Sequence, residues 1–200
     1  MDFLKEAKLM ANFNHPHILR LMAVCVDSNS FINALVLELM EGGDLKRYVA
    51  SNRPTVTSPS KLTMADLLSI CIDVAKGCKY LEDMHFIHRD IAARNCLVSS
   101  SDRGTRVVKI GDFGLARDVY KSDYYRKGTE ALVPCRWMSP ESLADGKFTT
   151  QCDIWAFGVL MWEVMTLGEQ PYSHLGNTAV LNYVRCGGIL GKPEACPPDL

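Results

Sequence analysis

The chain has 200 residues, enough for one large domain. It is 48% hydrophobic and 22% charged, the balance of a globular chain that buries a core. Its formal net charge of -1 excludes a bulk electrostatic attraction to nucleic acid or to an anionic membrane. The eight cysteines include no Cys-x-x-Cys pair, so no zinc cage is suggested. Several sit in apolar runs, where a free thiol behaves as a small hydrophobe. They read as reduced thiols of a cytosolic compartment, with disulfides as the alternative. No signal peptide follows Met1. The most apolar segment, Ile154 to Trp162, is nine residues long, whereas a membrane span takes about 20. It predicts a helix buried on all sides.

Phe3, Ala7 and Met10 repeat at helical spacing over residues 2–12, and Asn14-His15-Pro16 ends that helix. The aliphatic runs Ile18 to Val26 and Phe31 to Leu39 read as an antiparallel strand pair. Glu41-Gly42-Gly43-Asp44 reads as a turn before a short helix from Leu45, and residues 51–61 as a solvated loop. Thr63 stands three before Asp66, the spacing of a capping box. Leu67, Cys71, Val74, Cys78 and Leu81 then mark an amphipathic helix over roughly residues 64–84. Residues 85–98 read as loop with short apolar strands, residues 99–106 as a polar hairpin loop, and Val107 to Ile110 as a strand. From Asp112 to Glu141 no period is sustained, and loops of that length are usually functional. The apolar helix at 150–166 and a helix from Thr178 to Arg185 complete the chain. Its abrupt start on a helical pattern and its end at Leu200 suggest a piece of something longer.

Two clusters carry the chemistry. His88-Arg89-Asp90-Ile91-Ala92-Ala93-Arg94-Asn95 places an acid, two guanidiniums and an amide within eight residues, and Asp112-Phe113-Gly114 follows. Asp90, Asn95 and Asp112 offer oxygens that suit a hard cation such as Mg²⁺. Arg89 and Arg94 supply permanent positive charge for anionic groups. Either cluster alone is more simply a surface ion pair or a turn. Both together, in this order with an apolar strand between, favour a site.

His88-Arg89-Asp90 with Asn95, then Asp112-Phe113-Gly114, then Ser139-Pro140-Glu141, resembles the signature set of the eukaryotic protein kinases. The resemblance covers essentially the whole chain. It implies an α+β, two-lobed kinase fold, with a truncated small lobe over residues 1–40 and a mostly helical, C-terminally incomplete large lobe over 41–200. It implies that Asp90 accepts the substrate hydroxyl's proton. Asn95 and Asp112 would hold Mg²⁺, with Mn²⁺ as an alternative, against the phosphates of ATP. Asp153 would anchor the loop carrying Asp90. Ala92-Ala93-Arg94, and Pro134-Cys135-Arg136-Trp137-Met138, resemble the tyrosine-directed branch, whose platform sets a phenol further from the backbone than a serine.

Phe3-Leu4-Lys5-Glu6-Ala7, Glu38 to Leu45 and Leu181-Asn182-Tyr183-Val184 are similar to the Ros/Sevenless receptor tyrosine kinases of the insulin-receptor group. By that resemblance Glu6 pairs with a strand lysine and Leu37 stands behind the adenine. Glu38 and Met40 offer hinge backbone groups, Asp44 lines the nucleotide site and Leu97 packs under the adenine. Met10, Leu21, His88 and Phe113 would stack as a spine, for which plain core packing is the simpler reading. Tyr120, Tyr124 and Tyr125, beside Lys121, Arg126 and Lys127, would be regulatory phosphotyrosines, each adding roughly -1.5 to -2 charge that Arg89 could pair. Glu141 would pair with an arginine. The implied partners are ATP, protein tyrosine substrates and a second receptor copy, on the cytoplasmic face of the plasma membrane.

Ser139 and Cys135 replace the family's usual alanine and valine. The family's glycine-rich loop and strand lysine are not found within the 200 residues, so we expect little activity from the chain alone. A non-catalytic pseudokinase or docking module is the alternative, opposed by intact Asp90, Asn95 and Asp112. A serine/threonine kinase is opposed by Ala92 and Arg94.

Overall fold

A computed structural model describes residues 3–27, 31–112 and 134–197. The layout follows from two long helices and the small sheet laid against one of them. Helix α3, Met64–Asp83, starts where the sequence predicts. The Thr63 hydroxyl accepts from the Asp66 amide at 3.3 Å, and the Asp66 carboxylate accepts from the Thr63 amide at 2.8 Å. That reciprocal box satisfies two N–H groups at the helix start. Leu67, Ile70, Cys71, Val74 and Leu81 are buried along one face, with Gly77 among them. They pack against helix α5, Thr150–Met165, and against strand β5, Val108–Ile110.

The sheets are small. Strands β1, Leu21–Val26, and β2, Ile32–Leu37, pair antiparallel, Leu21 opposite Leu37. Strands β3, Gly43–Asp44, β4, Cys96–Val98, and β5 form the second sheet in that order. Gly43 and Asp44 therefore belong to a strand where a turn was expected. The first aliphatic run also divides. Ile18 and Leu19 are 2% exposed and run parallel to β5, where the Leu19 amide donates to Ile110 O at 2.8 Å and the Ile110 amide to His17 O at 2.9 Å. From Leu21 the chain turns to β2, and Met22 and Val26 lie open, more than half exposed. An unbroken apolar pattern does not show which of two ladders each part joins.

Helix α1, Phe3–Met10, buries Ala7 and Met10. The loop after it is fastened to α3 by aromatic contacts. Phe13 meets Phe86 and Tyr80 edge-on at 5.1 and 6.3 Å, and His15 stacks on Tyr80 at 4.8 Å. The Tyr80 hydroxyl accepts from the Asn14 amide at 3.0 Å. Further on, Asp73 of α3 accepts from the Val108 amide at 3.0 Å, and His17 Nδ1 lies 3.0 Å from Val108 O.

Helix α2 is Leu45–Ser51, helix α4 Pro140–Asp145 and helix α6 Asn177–Arg185. No period announces α4, because six residues are under two turns. Its signals are punctuation: Pro140 in the first turn and Gly146 at φ 65° after the last. Helix α5 is not buried on every side. Val159, Leu160, Val164 and Glu163 are inside, but Ile154 is 55% exposed. None of the eight cysteines forms a disulfide. Burial pushes the Cys71 and Cys78 thiols up to about 12, as expected of thiols used as packing.

A glycine fixes how closely α3 approaches the sheet. A Cβ on Gly77 would lie 2.8 Å from His17 O and 2.8 Å from Ile110 Cδ1. Alanine gains about 1 kcal/mol in helix propensity, but overpacking against a backbone carbonyl costs roughly 1–3 kcal/mol. The clash wins, so Gly77→Ala is expected to lower stability in urea denaturation.

Candidate active site

The loop that carries Asp90 hangs from helix α5. Asp153, in the first turn of α5 and 9% exposed, accepts from the His88 amide at 2.7 Å and the Arg89 amide at 2.9 Å, one carboxylate oxygen each. Arg89 has φ 68°, a left-handed conformation that a long side chain adopts at a cost. The Asp153 bond holds it there, and the Arg89 guanidinium lies 5.1 Å over the Phe148 ring. His88 faces the other way. Its Nδ1 lies 3.3 Å from the Asp90 amide and its Nε2 3.1 Å from Gly111 O. An amide only donates and a carbonyl only accepts, so Nδ1 accepts and Nε2 carries the proton.

Asp90, Arg94 and Asn95 converge, and the chain segment before Asp112 is bonded to them. The Arg94 guanidinium, its side chain wholly buried, pairs with Asp90 Oδ1 and sits 4.1 Å over the Trp137 ring. Asn95 donates from Nδ2 to Asp90 O at 2.7 Å, and Asn95 O accepts from the Gly111 amide at 2.9 Å. That bond sets Asp112, at φ 53°, beside the loop. Asn95 Oδ1 is buried and accepts no hydrogen bond from any described residue. An orphaned buried amide oxygen fits a ligand of a hard divalent ion. Among the described residues no group of three or more His, Cys, Asp or Glu side chains is placed to hold a metal, so an ion here would take its other ligands from phosphate and water.

The residues expected on the nucleotide side are spread over α1 and both sheets. Leu37, half-buried, closes β2, and Leu97 sits in β4 between Asp44 and Lys109. The Glu38 amide donates to Arg20 O at 3.1 Å, and Met40 O accepts from the Gly43 amide at 3.1 Å. The Glu38 side chain is engaged too. It accepts from Lys109 Nζ at 2.7 and 2.8 Å and from the Arg20 amide at 2.8 Å. Asp44 caps α2, accepting from the Arg47 amide at 2.9 Å. Glu6 lies on α1.

Residues 134–138 form a shelf beside Arg94. Arg136, 6% exposed, donates to Pro171 O, Tyr172 O and Leu175 O, each at 2.8 Å. Trp137 Nε1 donates to Glu163 Oε2 at 2.8 Å, and the same oxygen accepts from the Ala93 amide at 2.9 Å. Ser139 donates to Ser142 Oγ at 3.0 Å, and Ser142 donates onward to Lys147 O at 2.9 Å, so the extra hydroxyl is accommodated. Glu141 is exposed at the start of α4, its carboxyl held below the ordinary range chiefly by its own backbone amide.

Residues 1–200 match the sequence model of the protein tyrosine and serine/threonine kinases. The chain belongs to that family. Over its whole length the chain is 59% identical to the proto-oncogene tyrosine-protein kinase ROS of Rattus norvegicus, 59% to the tyrosine-protein kinase transforming protein ros of UR2 avian sarcoma virus, and 55% to the protein sevenless of Drosophila melanogaster. It spans 8% of the rat and fly proteins and 50% of the viral one. The α+β kinase fold and the Ros/Sevenless resemblance read from the motifs are thus correct. Family membership implies the use of ATP and a divalent metal.

Of the residues singled out in the sequence, Asp90, Arg94, Asn95, His88, Arg89 and Asp153 are brought together, and Asp112 follows Gly111, which is bonded to Asn95 and His88. Phe113, Tyr120, Tyr124 and Tyr125 lie outside the described residues. Two residues escaped the sequence reading. Lys109 carried no signal, since its partner Glu38 is 71 positions away. Glu163 looked like the polar end of an apolar run, yet it is fully buried. Burial raises its carboxyl to about 7, against the opposing pull of the Ala93 amide, Trp137, Arg94 and Lys46.

Two outcomes are expected. Asp153→Ala leaves two part-buried amides without their charged acceptor and costs roughly 1–3 kcal/mol in urea denaturation, while Asp153→Asn, which keeps one acceptor oxygen, costs less. The folded chain also holds the Glu163 proton more tightly than the unfolded chain. That contribution to stability is complete below the ordinary value of 4.5 and is lost as pH rises through about 7. Between pH 5 and 8, wild type is expected to lose roughly 2–3 kcal/mol relative to Glu163→Gln.

Proposed function

We propose that the chain is catalytic machinery of a receptor-type protein tyrosine kinase, which moves the γ-phosphate of ATP to a tyrosine hydroxyl of a protein. The observation that carries this is the pairing of Asp90 with Arg94, whose guanidinium lies on Trp137 of the shelf. Asp90 is then a proton acceptor oriented from the side where a peptide's phenol would lie. An Arg four residues after the acid is also the tyrosine-directed form of the motif.

In this reading Asn95 and Asp112 would hold a divalent ion such as Mg²⁺, which would neutralise charge on the ATP phosphates. The Glu38 amide and the Met40 carbonyl are engaged with Arg20 and Gly43. The adenine would therefore be met by the Glu38 carbonyl and the Met40 amide, between Leu37 and Leu97. Residues 1–40 serve as the small-lobe part and residues 41–200 as the large-lobe part. Glu6 would pair with a lysine, Tyr120, Tyr124 and Tyr125 would be phosphorylated in activation, and Glu141 would pair with an arginine. The parent would self-associate, with this part on the cytoplasmic side of the plasma membrane. No helix among the described residues is long and apolar enough to cross a membrane.

The test is a chimera in which these 200 residues replace the matching segment of the rat relative. It is expected to phosphorylate tyrosine peptides over serine peptides on an array, and Asp90→Asn is expected to reduce the rate by roughly 10²–10⁴-fold. A serine preference would overturn the tyrosine assignment. A folded chimera whose activity is unchanged by Asp90→Asn, or absent altogether, would overturn the enzyme reading in favour of a docking module.

A further inference from the structure

Among the described residues, Glu163 is the acidic side chain with no exposure at all. It lies on α5 between Trp162 and Val164. An apolar residue of similar volume would fill the space without the desolvation penalty of a carboxyl group. The packing alone therefore does not account for it.

Its hydrogen bonds do. One oxygen, Oε2, receives the Ala93 amide at 2.9 Å and the Trp137 indole N–H at 2.8 Å. Ala93 stands in the loop of Asp90, and Trp137 stands in the shelf 134–138. Two donors sharing one acceptor at those lengths cannot separate by more than about 6 Å. The circuit closes through Arg94, which pairs with Asp90 and covers the Trp137 ring at 4.1 Å. Loop and shelf are 44 residues apart in the chain, counting from Ala93 to Trp137. The charged and titratable groups around Glu163 are Arg94, Lys46 of α2 and Cys96 of β4.

We propose that Glu163 is a positioning residue that fixes the separation between Asp90 and the shelf 134–138. This rests on the reading of Asp90 as proton acceptor and of the shelf as the seat of the tyrosine. A phenol reaches further from its backbone than a serine hydroxyl, so this separation selects which hydroxyl meets Asp90. A misplacement of 1 Å costs about a hundredfold in rate.

The test uses the full 200-residue chain and is read by NMR. In wild type the Trp137 indole N–H resonance, identified by its loss in Trp137→Phe, is expected to titrate between pH 5 and 8. In Glu163→Gln that titration disappears, the Asp90 carboxyl carbon shifts, and the Ala93 amide exchanges at least tenfold faster. A folded Glu163→Gln chain with Asp90 and Ala93 as in wild type would overturn the proposal. If Glu163→Gln does not fold, Trp137→Phe decides. It removes one donor and keeps a ring beneath Arg94, so a shift at both Ala93 and Asp90 supports the role and none refutes it. Because no phosphoryl transfer is read, an inactive chimera would leave these signals standing and would sink the kinase reading separately.

Discussion

Everything chemical in this chain depends on the Asp153 carboxylate gripping the backbone of residues 88 and 89. Two amides of a loop, one from a residue in the left-handed region, cannot find partners in a helix or sheet ladder. A buried carboxylate offers two oxygens at the spacing of consecutive N–H groups, and charge strengthens both bonds. With those bonds made, His88 turns inward to Gly111, Asp90 turns outward, and Arg94 and Asn95 follow as one turn of 3₁₀-helix. The loop is thus positioned by main-chain bonds to a rigid helix, and its side chains remain available for chemistry.

The same economy appears in the buried cations. Arg94, Arg106 and Arg136 are each 9% exposed or less, and each is matched differently. Arg94 has a carboxylate and an aromatic face, and Arg136 has three carbonyls. Arg106 donates to Asp66 O at 3.1 Å and to the Tyr48 hydroxyl at 3.3 Å. An arginine can be matched in all three ways because its planar fork presents five donors and stacks on rings, which a lysine does not. The half-buried pair of Lys109 with Glu38 keeps partial access to water and joins the end of β2 to β5.

What could be read from the sequence was what is local. The helix starts at Thr63, the amphipathic face of α3 and the motif around Asp90 are short-range patterns, and they appear as written. What could not be read was pairing across distance. Ile18 and Leu19 look like the start of β1 because burial against β5 and pairing with β2 both call for aliphatic residues. Glu163 was hidden for a deeper reason. Hydropathy cannot tell an acid that ends an apolar stretch from one enclosed within a helix. Only the three-dimensional position of Ala93 and Trp137 separates the two. Helix α4, by contrast, was legible from Pro140 and Gly146 had punctuation been weighed above period.

Arg136 has a consequence of a different kind. It binds the loop at 171–175 through backbone carbonyls and not through side chains, so the identities of Ser173 and His174, both exposed, do not enter the bond. Those positions can drift over evolutionary time, and recognition outside the site can be rewritten there, while the shelf stays where it is. Tyr172 is the exception. It is buried, its φ is 52°, and its carbonyl is one of the three. A lineage that altered it would have to rebuild the loop and the shelf together.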